Sequence, residues 1–197
     1  MSYVTARTEG AQDAPLVFTF HGTGGDEHQF HAAASALVPG ARVVSPRGDV
    51  SEAGMNRFFR RTGEGVYDMD DLARRTEAMA NFLSAEKKAA GDPPTIGLGY
   101  SNGANILASV AFARPEIVDC IVLMHPLIPF TPDPQPGLSG RHILITAGRR
   151  DPICPAPATQ ALADWLEGQG AQVTLKWTEG GHEIRAEETE AVRAFFA

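Results

Sequence analysis

The chain reads as an α/β protein with a doubly wound, mostly parallel sheet, and three observations carry that reading. Its apolar residues come in short continuous runs bounded by Gly and Pro, at 16–20, 42–45, 95–98, 120–124, 143–147 and 173–177. Continuous runs suit parallel strands covered on both faces, whereas a strand with one wet face alternates. Segments with helical spacing fall between these runs, and such alternation implies right-handed crossovers. Finally, 197 residues with 43% hydrophobic and 21% charged content suffice for one well-cored domain, 1–197, and are too short for two comfortable ones.

Taken in order, residues 3–7 are read as an edge strand and 16–20 as the first core strand. Leu72, Thr76, Met79 and Leu83 recur at helical spacing. Asp70 and Asp71 favour the start of that helix, and Gly91-Asp92-Pro93-Pro94 stops it. The stretch 105–113 is apolar nearly all round, as a central buried helix should be, and Pro115 follows its end. The segment 126–136 holds five prolines and joins two strands without room for a helix. A stiff loop there leaves the top of the sheet uncapped. Ala158, Leu162, Trp165 and Leu166 mark another helix, and Val192, Phe195 and Phe196 a last one that packs back on the sheet.

Composition excludes several classes. The net charge of -7, with no Lys/Arg cluster, argues against a nucleic-acid partner. Two cysteines give no disulfide framework, which points to a reducing, cytoplasmic compartment. Residues 1–7 lack the basic-then-apolar design of a secretory leader. No apolar stretch approaches the roughly 20 residues of a membrane span.

The chemistry is concentrated in Gly99-Tyr100-Ser101-Asn102-Gly103, between an apolar run and a small-residue helix. In that context a Gly-x-Ser-x-Gly pentapeptide forms a nucleophile elbow, a strained turn that lifts the hydroxyl above the sheet. A serine needs a base to take its proton, and a histidine needs an acid to hold its tautomer. Asp151 follows the run 143–147 and His182 follows 173–177, both at carboxyl ends of strands, where open α/β sheets bind ligands. The order Ser101, Asp151, His182 is that of the α/β-hydrolase fold. An oxyanion hole needs two backbone N–H groups. Asn102, next after the serine, supplies one, and Thr23 in His21-Gly22-Thr23-Gly24-Gly25-Asp26 is chosen for the other.

Those four segments together resemble the bacterial phospholipase/carboxylesterase family of α/β-hydrolases, which also contains acyl-protein thioesterases. Gly54-Met55-Asn56-Arg57-Phe58-Phe59-Arg60-Arg61 is similar to the Gly-Met-x-Arg-Phe-Phe-x-Arg stretch of its hydroquinone-stress and copper-induced branch. The resemblance runs from Leu16 to the C-terminus. It implies a fold without a cap domain, hydrolysis of carboxylic esters or thioesters of small molecules, Ser101, Asp151 and His182 as a triad, the Thr23 and Asn102 amides as the oxyanion hole, and a homodimer. No metal or organic cofactor is required. The thioesterases usually read Gln-Gly-Gly where this chain reads Asn102-Gly103-Ala104-Asn105, which argues against a protein-acyl substrate. A non-catalytic small-molecule binder is the rival from another class, and such proteins often lack a triad member. A dienelactone-type ring opener would carry Cys in place of Ser101.

Other residues keep two readings. Arg57, Phe58 and Phe59 form either a pocket wall, with Arg57 facing an anionic substrate group, or a loop packed by aromatics. His125 borders the pocket or satisfies a backbone carbonyl. Leu127, Ile128 and Phe130 form the acyl wall or cover the sheet edge. Cys154 is packing, or a thiol whose exposure makes the site sensitive to oxidation. His28 and His31, at i and i+3, read as a solvated helix face rather than a metal pair, for want of a third ligand.

Overall fold

The computed structural model describes residues 3–11, 13–63 and 65–196. In chain order the elements are β1 (Thr5–Thr8), β2 (Leu16–Phe20), α1 (His31–Leu37), β3 (Arg42–Pro46), β4 (Val50–Glu52), β5 (Met55–Arg57), β6 (Arg61–Gly63), β7 (Val66–Tyr67), α2 (Met69–Ala89), β8 (Thr95–Tyr100), α3 (Asn102–Ala113), β9 (Cys120–Met124), a 3-10 turn at Pro136–Leu138, β10 (His142–Gly148), α4 (Ala156–Gly168), β11 (Gln172–Thr178) and α5 (Ala186–Phe195). Seven strands form one sheet in the order β1-β3-β2-β8-β9-β10-β11. Only β1 is antiparallel, pairing Thr5 with Pro46, and it occupies the edge read for residues 3–7. Among the described residues no helix is long and apolar enough to cross a membrane.

Alternate residues of each core strand enter different cores, which is why the runs are apolar throughout. Leu16, Phe18, Phe20, Ile121, Leu123, Ile143 and Ile145 pack with Leu72, Met79 and Leu83 of α2, Leu107 of α3 and Leu162 of α4. On the other face, Val17 and Val43 meet Ala34 of α1, and Val122 and Leu144 meet Val192 of α5. Helices α2, α3 and α4 thus cover one face, and α1 and α5 the other. α3 is buried over most of its length, as its composition requires. β11, the second edge strand, alternates exposed and half-buried residues up to its buried end, Thr178.

Two expectations change. α1 begins at His31, so His28 lies in the preceding turn and the two share no helical face. His31 Nδ1 instead lies 2.8 Å from Ser45 Oγ and its Nε2 2.9 Å from Thr8 Oγ1, tying α1 to β3 and β1. The second change is a pair of small hairpins, β4-β5 and β6-β7, between β3 and α2. The first turns through Ala53 and Gly54, both at positive φ (49° and 82°), a mirror-type turn that fits the strand twist.

Candidate active site

The strand-to-helix passage from β8 to α3 is as tight as the glycines imply. A Cβ on Gly99 would lie 2.6 Å from Gly103 O, and one on Gly103 would lie 2.5 Å from His21 O and closer still to Phe20 O. Ser101 sits between them at φ 51°, ψ -118°, a conformation that costs a non-glycine residue about 1–3 kcal/mol. It is held there because its N–H donates to Met124 O (2.8 Å) and its carbonyl accepts from Asn105 N (3.0 Å).

The structure brings Ser101, His182 and Asp151 together. His182 Nε2 lies 2.8 Å from Ser101 Oγ, and His182 Nδ1 lies 2.8 Å from Asp151 Oδ2. Tyr100 Oη donates to His182 O (2.6 Å), so the residue before the serine anchors the histidine loop. Asp151 Oδ1 accepts from the N–H groups of Ile153 (2.8 Å) and Cys154 (2.9 Å), which fixes the carboxylate plane.

A second imidazole stands behind the carboxylate. His125 Nδ1 is 2.8 Å from the same Asp151 Oδ2, and its Nε2 is 3.0 Å from Glu188 Oε2. The second contact lies off the N–H axis and acts as an ion pair rather than an aligned hydrogen bond. Both His125 and Glu188 are 0% exposed. Glu188 also accepts from Thr146 Oγ1 (2.6 Å) and Arg185 N (3.1 Å). Burial disfavours the charged form of His125, but the two carboxylates outweigh it and raise its pKa. Burial likewise pushes Asp151 and Glu188 upward. The Cys154 amide and the two imidazoles overcome this for Asp151, as His125 and Thr146 do for Glu188, and both acids end below their ordinary values. A buried acid–imidazole–acid chain therefore runs from Asp151 to α5, with both carboxylates favouring the protonated imidazole. His125 was read as a pocket border or a carbonyl partner; it is neither, and Glu188 was not singled out at all.

The loop after β2 is built to leave one amide free. Gly22 N donates to Gln29 Oε1 (2.8 Å), Gly24 N to Asn56 O (3.0 Å) and Gly25 N to Gly22 O (3.0 Å). Among the described residues the Thr23 amide has no such acceptor. His21 fixes the loop from below: its Nδ1 lies 2.7 Å from Gly22 O, and its Nε2 accepts from Gly48 N (2.9 Å). A carbonyl on one side and an N–H on the other require the neutral Nδ1–H tautomer, and burial lowers the pKa of His21 accordingly. Asn102, as the first residue of α3, has one of the helix N–H groups that lack an intrahelical partner.

The segment around β5 clamps both donors. Asn56 Nδ2 donates to Gly25 O (2.9 Å) and Arg57 Nη1 to Thr23 Oγ1 (2.7 Å). On the other side Phe58 N donates to Asn102 Oδ1 (2.7 Å), and Arg60 N to Asp71 Oδ2 on α2 (2.9 Å).

No family model matches the chain. MhqD of Bacillus subtilis (strain 168), a protein described as a hydrolase, is 36% identical over 190 residues, covering 95% of this chain and 94% of MhqD. The chain belongs to the phospholipase/carboxylesterase family of α/β-hydrolases. Solved structures agree with this placement. Atu2452 of Agrobacterium tumefaciens str. C58, a protein of unknown function, superposes with a TM-score of 0.92 at 53% identity, over 98% of this chain and 95% of that one. The Bacillus cereus carboxylesterase superposes with a TM-score of 0.92 at 35% identity, over 98% and 93%. This α/β-hydrolase is therefore a hydrolase of esterase type.

In this α/β-hydrolase a cavity of about 230 Å³ opens beside Ser101 and His182, lined also by Thr23, Asn102, Arg57, Arg61, Tyr67 and Leu127. Asn105 shapes its floor: its Nδ2 donates to Tyr67 Oη (2.7 Å) and its Oδ1 accepts from Leu127 N (2.7 Å). The expected pocket wall is only partly found. Arg57 and Leu127 line the cavity, but Phe58 and Phe59, 2% and 0% exposed, turn into the main core. Ile128 packs in the same core and lines a separate recess with Phe130. The Phe58 ring packs against Phe20 and His21 and the Phe59 ring against Tyr67, so their apolar area is buried in the core. Cys154 lines the cavity but is 1% exposed, and burial pushes its thiol far up, so it is no reactive thiolate. The donor atoms of His125, Asp151 and His182 lie within 4.8 Å of one another. Both Nδ1 atoms already meet Asp151 Oδ2 at 2.8 Å, the spacing of N–H···O bonds, so the cluster fits shared protons rather than a metal ion.

Proposed function

We propose that this protein is a serine carboxylesterase that hydrolyses small or medium acyl esters through an acyl-enzyme. One observation carries the reading: the Ser101 hydroxyl, the His182 imidazole and the Asp151 carboxylate form a chain of two 2.8 Å contacts at the mouth of a cavity. Ser101 attacks the ester carbonyl while His182 Nε2 takes its proton, and Asp151 holds Nδ1–H and stabilises the imidazolium. The Thr23 and Asn102 amides receive the oxyanion, held in place before substrate arrives by the clamp around β5. His182 then protonates the leaving alcohol, and water repeats the sequence on the acyl-enzyme. A cavity of about 230 Å³ falls below the common range for ligand pockets and suits short acyl groups better than a lysophospholipid tail.

A fluorophosphonate should label Ser101, and Ser101→Ala should abolish both the label and ester turnover. Folded wild-type protein that takes no label would refute the mechanism. Comparing p-nitrophenyl acetate, butyrate and octanoate with acyl thioesters should place the maximum at a short oxygen ester. A thioester preference would move the assignment to the thioesterases on the same residues.

A further inference from the structure

The stretch Gly54 to Arg61 carries three arginines, of which Arg57 and Arg61, four residues apart, take no part in making or breaking bonds in the ester chemistry above. The structure places both on the cavity beside Ser101, although they arise from different hairpins, Arg57 ending β5 and Arg61 opening β6. They share one counter-ion. Arg57 Nε lies 3.2 Å from Glu52 Oε2, and Arg61 Nε lies 2.9 Å from Glu52 Oε1. Among the described residues these two guanidinium groups face one carboxylate, which leaves one positive charge uncompensated. No Asp or Glu is among the described residues lining the cavity. This is a cationic recess in a protein of net charge -7.

The Arg57 guanidinium is in an unusual position. It is 4% exposed, Phe59 O accepts from its Nε (3.2 Å), and Nη1 is spent on Thr23. Burial, and then the neighbouring Arg61, lower its pKa from the ordinary value, so a buried cation has a partly exposed like charge beside it. Guanidinium stays protonated at any working pH, and a second anion is the natural relief. Glu52 is met through both Nε atoms, which leaves the Nη groups of Arg61 to form the planar, two-pronged contact that a carboxylate accepts.

We propose that Arg57 and Arg61 form a carboxylate-recognition site, so that the preferred substrate is a short ester carrying a free carboxylate a few atoms from the scissile carbonyl. The chemical class is the monoester of a small dicarboxylic acid, or the acyl ester of a small hydroxy acid. The proposal rests on the serine-esterase reading for its turnover and on the arginine pair alone for its binding.

The two are separated by experiment. Turnover is compared within matched pairs: monoethyl glutarate against ethyl 5-methylhexanoate for an anion on the acyl side, and 3-acetoxypropionate against isopentyl acetate for one on the alcohol side. In one pair at least, wild-type kcat/KM should favour the anionic ester tenfold or more. Arg61→Gln should reduce that ratio at least tenfold. Glu52→Gln should raise it, by lowering KM for the anionic ester, because it frees both guanidiniums. A ratio taken on one protein sample cancels any loss of folded enzyme. Ratios near one in both pairs, or a ratio unmoved by Arg61→Gln, would overturn the proposal. Binding is read separately by calorimetry of glutarate on Ser101→Ala. Glutarate should bind, compete with monoethyl glutarate, and bind at least tenfold more weakly once Arg61→Gln is added. Absence of turnover on every ester would sink the esterase reading, while glutarate binding lost with Arg61 would still support the anion site. Inorganic phosphate displacing glutarate at lower concentration would overturn the carboxylate assignment.

Discussion

Glu188→Gln isolates the charge at the far end of the chain behind Asp151. Gln keeps the shape and one acceptor oxygen but leaves His125 with a single carboxylate neighbour. Both partners are 0% exposed. Removing one member of a buried ion pair costs about 3–5 kcal/mol, and the retained acceptor points to the lower end, about 3 kcal/mol. For a chain of this length that corresponds to a fall in Tm of roughly 6–12 °C. The pH dependence tests the cause. His125 is raised in the fold, so its stabilising contribution is complete below its ordinary pKa of about 6.5 and is lost as pH rises through the raised value. Glu188 and Asp151 are lowered, so theirs is complete above about 4.5 and is lost as pH falls through the lowered values. The gap between wild type and variant should therefore be widest between about pH 4.5 and 6.5. In the variant His125 loses its proton at a lower pH. From there up to the wild-type value, wild type keeps losing stability while the variant does not, and the gap should close by about 1.4 kcal/mol per pH unit. Urea unfolding at half-unit steps from pH 5 to 10 measures this. A gap constant across that range, or no gap at all, would show that the contact is not an ion pair.

Other substitutions probe the elbow and its surroundings. Ser101→Gly and Ser101→Ala remove the same hydroxyl, but only glycine relaxes φ 51°, so Ser101→Gly should be the more stable by about 1 kcal/mol in urea melts; equal stabilities would mean the turn is not strained. Gly103→Ala drives a methyl into two backbone carbonyls and should cost about 1–3 kcal/mol together with most of the turnover, a reading that a loss under about 0.5 kcal/mol would refute. Iodoacetamide should leave native activity intact, since Cys154 is sealed and burial raises Cys120 to about 11; rapid inactivation with alkylated Cys154 would contradict the buried thiol.

Much of this arrangement was legible because it rests on local signals. Runs such as 16–20 and 120–124 coincide with β2 and β9, and the elbow glycines mark their own close contacts. Elsewhere strands extend one or two residues beyond their apolar runs, as β8 does to Tyr100, because pairing continues after apolarity ends. The small hairpins were missed because Ala53-Gly54 is a weak turn signal and the flanking strands are only three residues long. Phe58 and Phe59 were read with Arg57 because adjacency suggests a shared face, yet a short irregular segment can turn its aromatics into the core and its cation toward the cavity. Glu188 carried no signal at all. At the start of an amphipathic helix a glutamate reads as a partner for the helix dipole, and its contact with His125 spans 63 residues of sequence.

The ribbon of residues 56–60 is stitched to the loop after β2, to the first turn of α3 and to the beginning of α2. It works as a keystone: the sheet alone can align serine, histidine and aspartate, but the proposed cradle for the developing negative charge, the Thr23 and Asn102 amides, closes only when this piece is in place. Among relatives that keep the three aligned side chains, those whose ribbon has been rewritten would be intact in outline and empty in function, and the ribbon is where to look first.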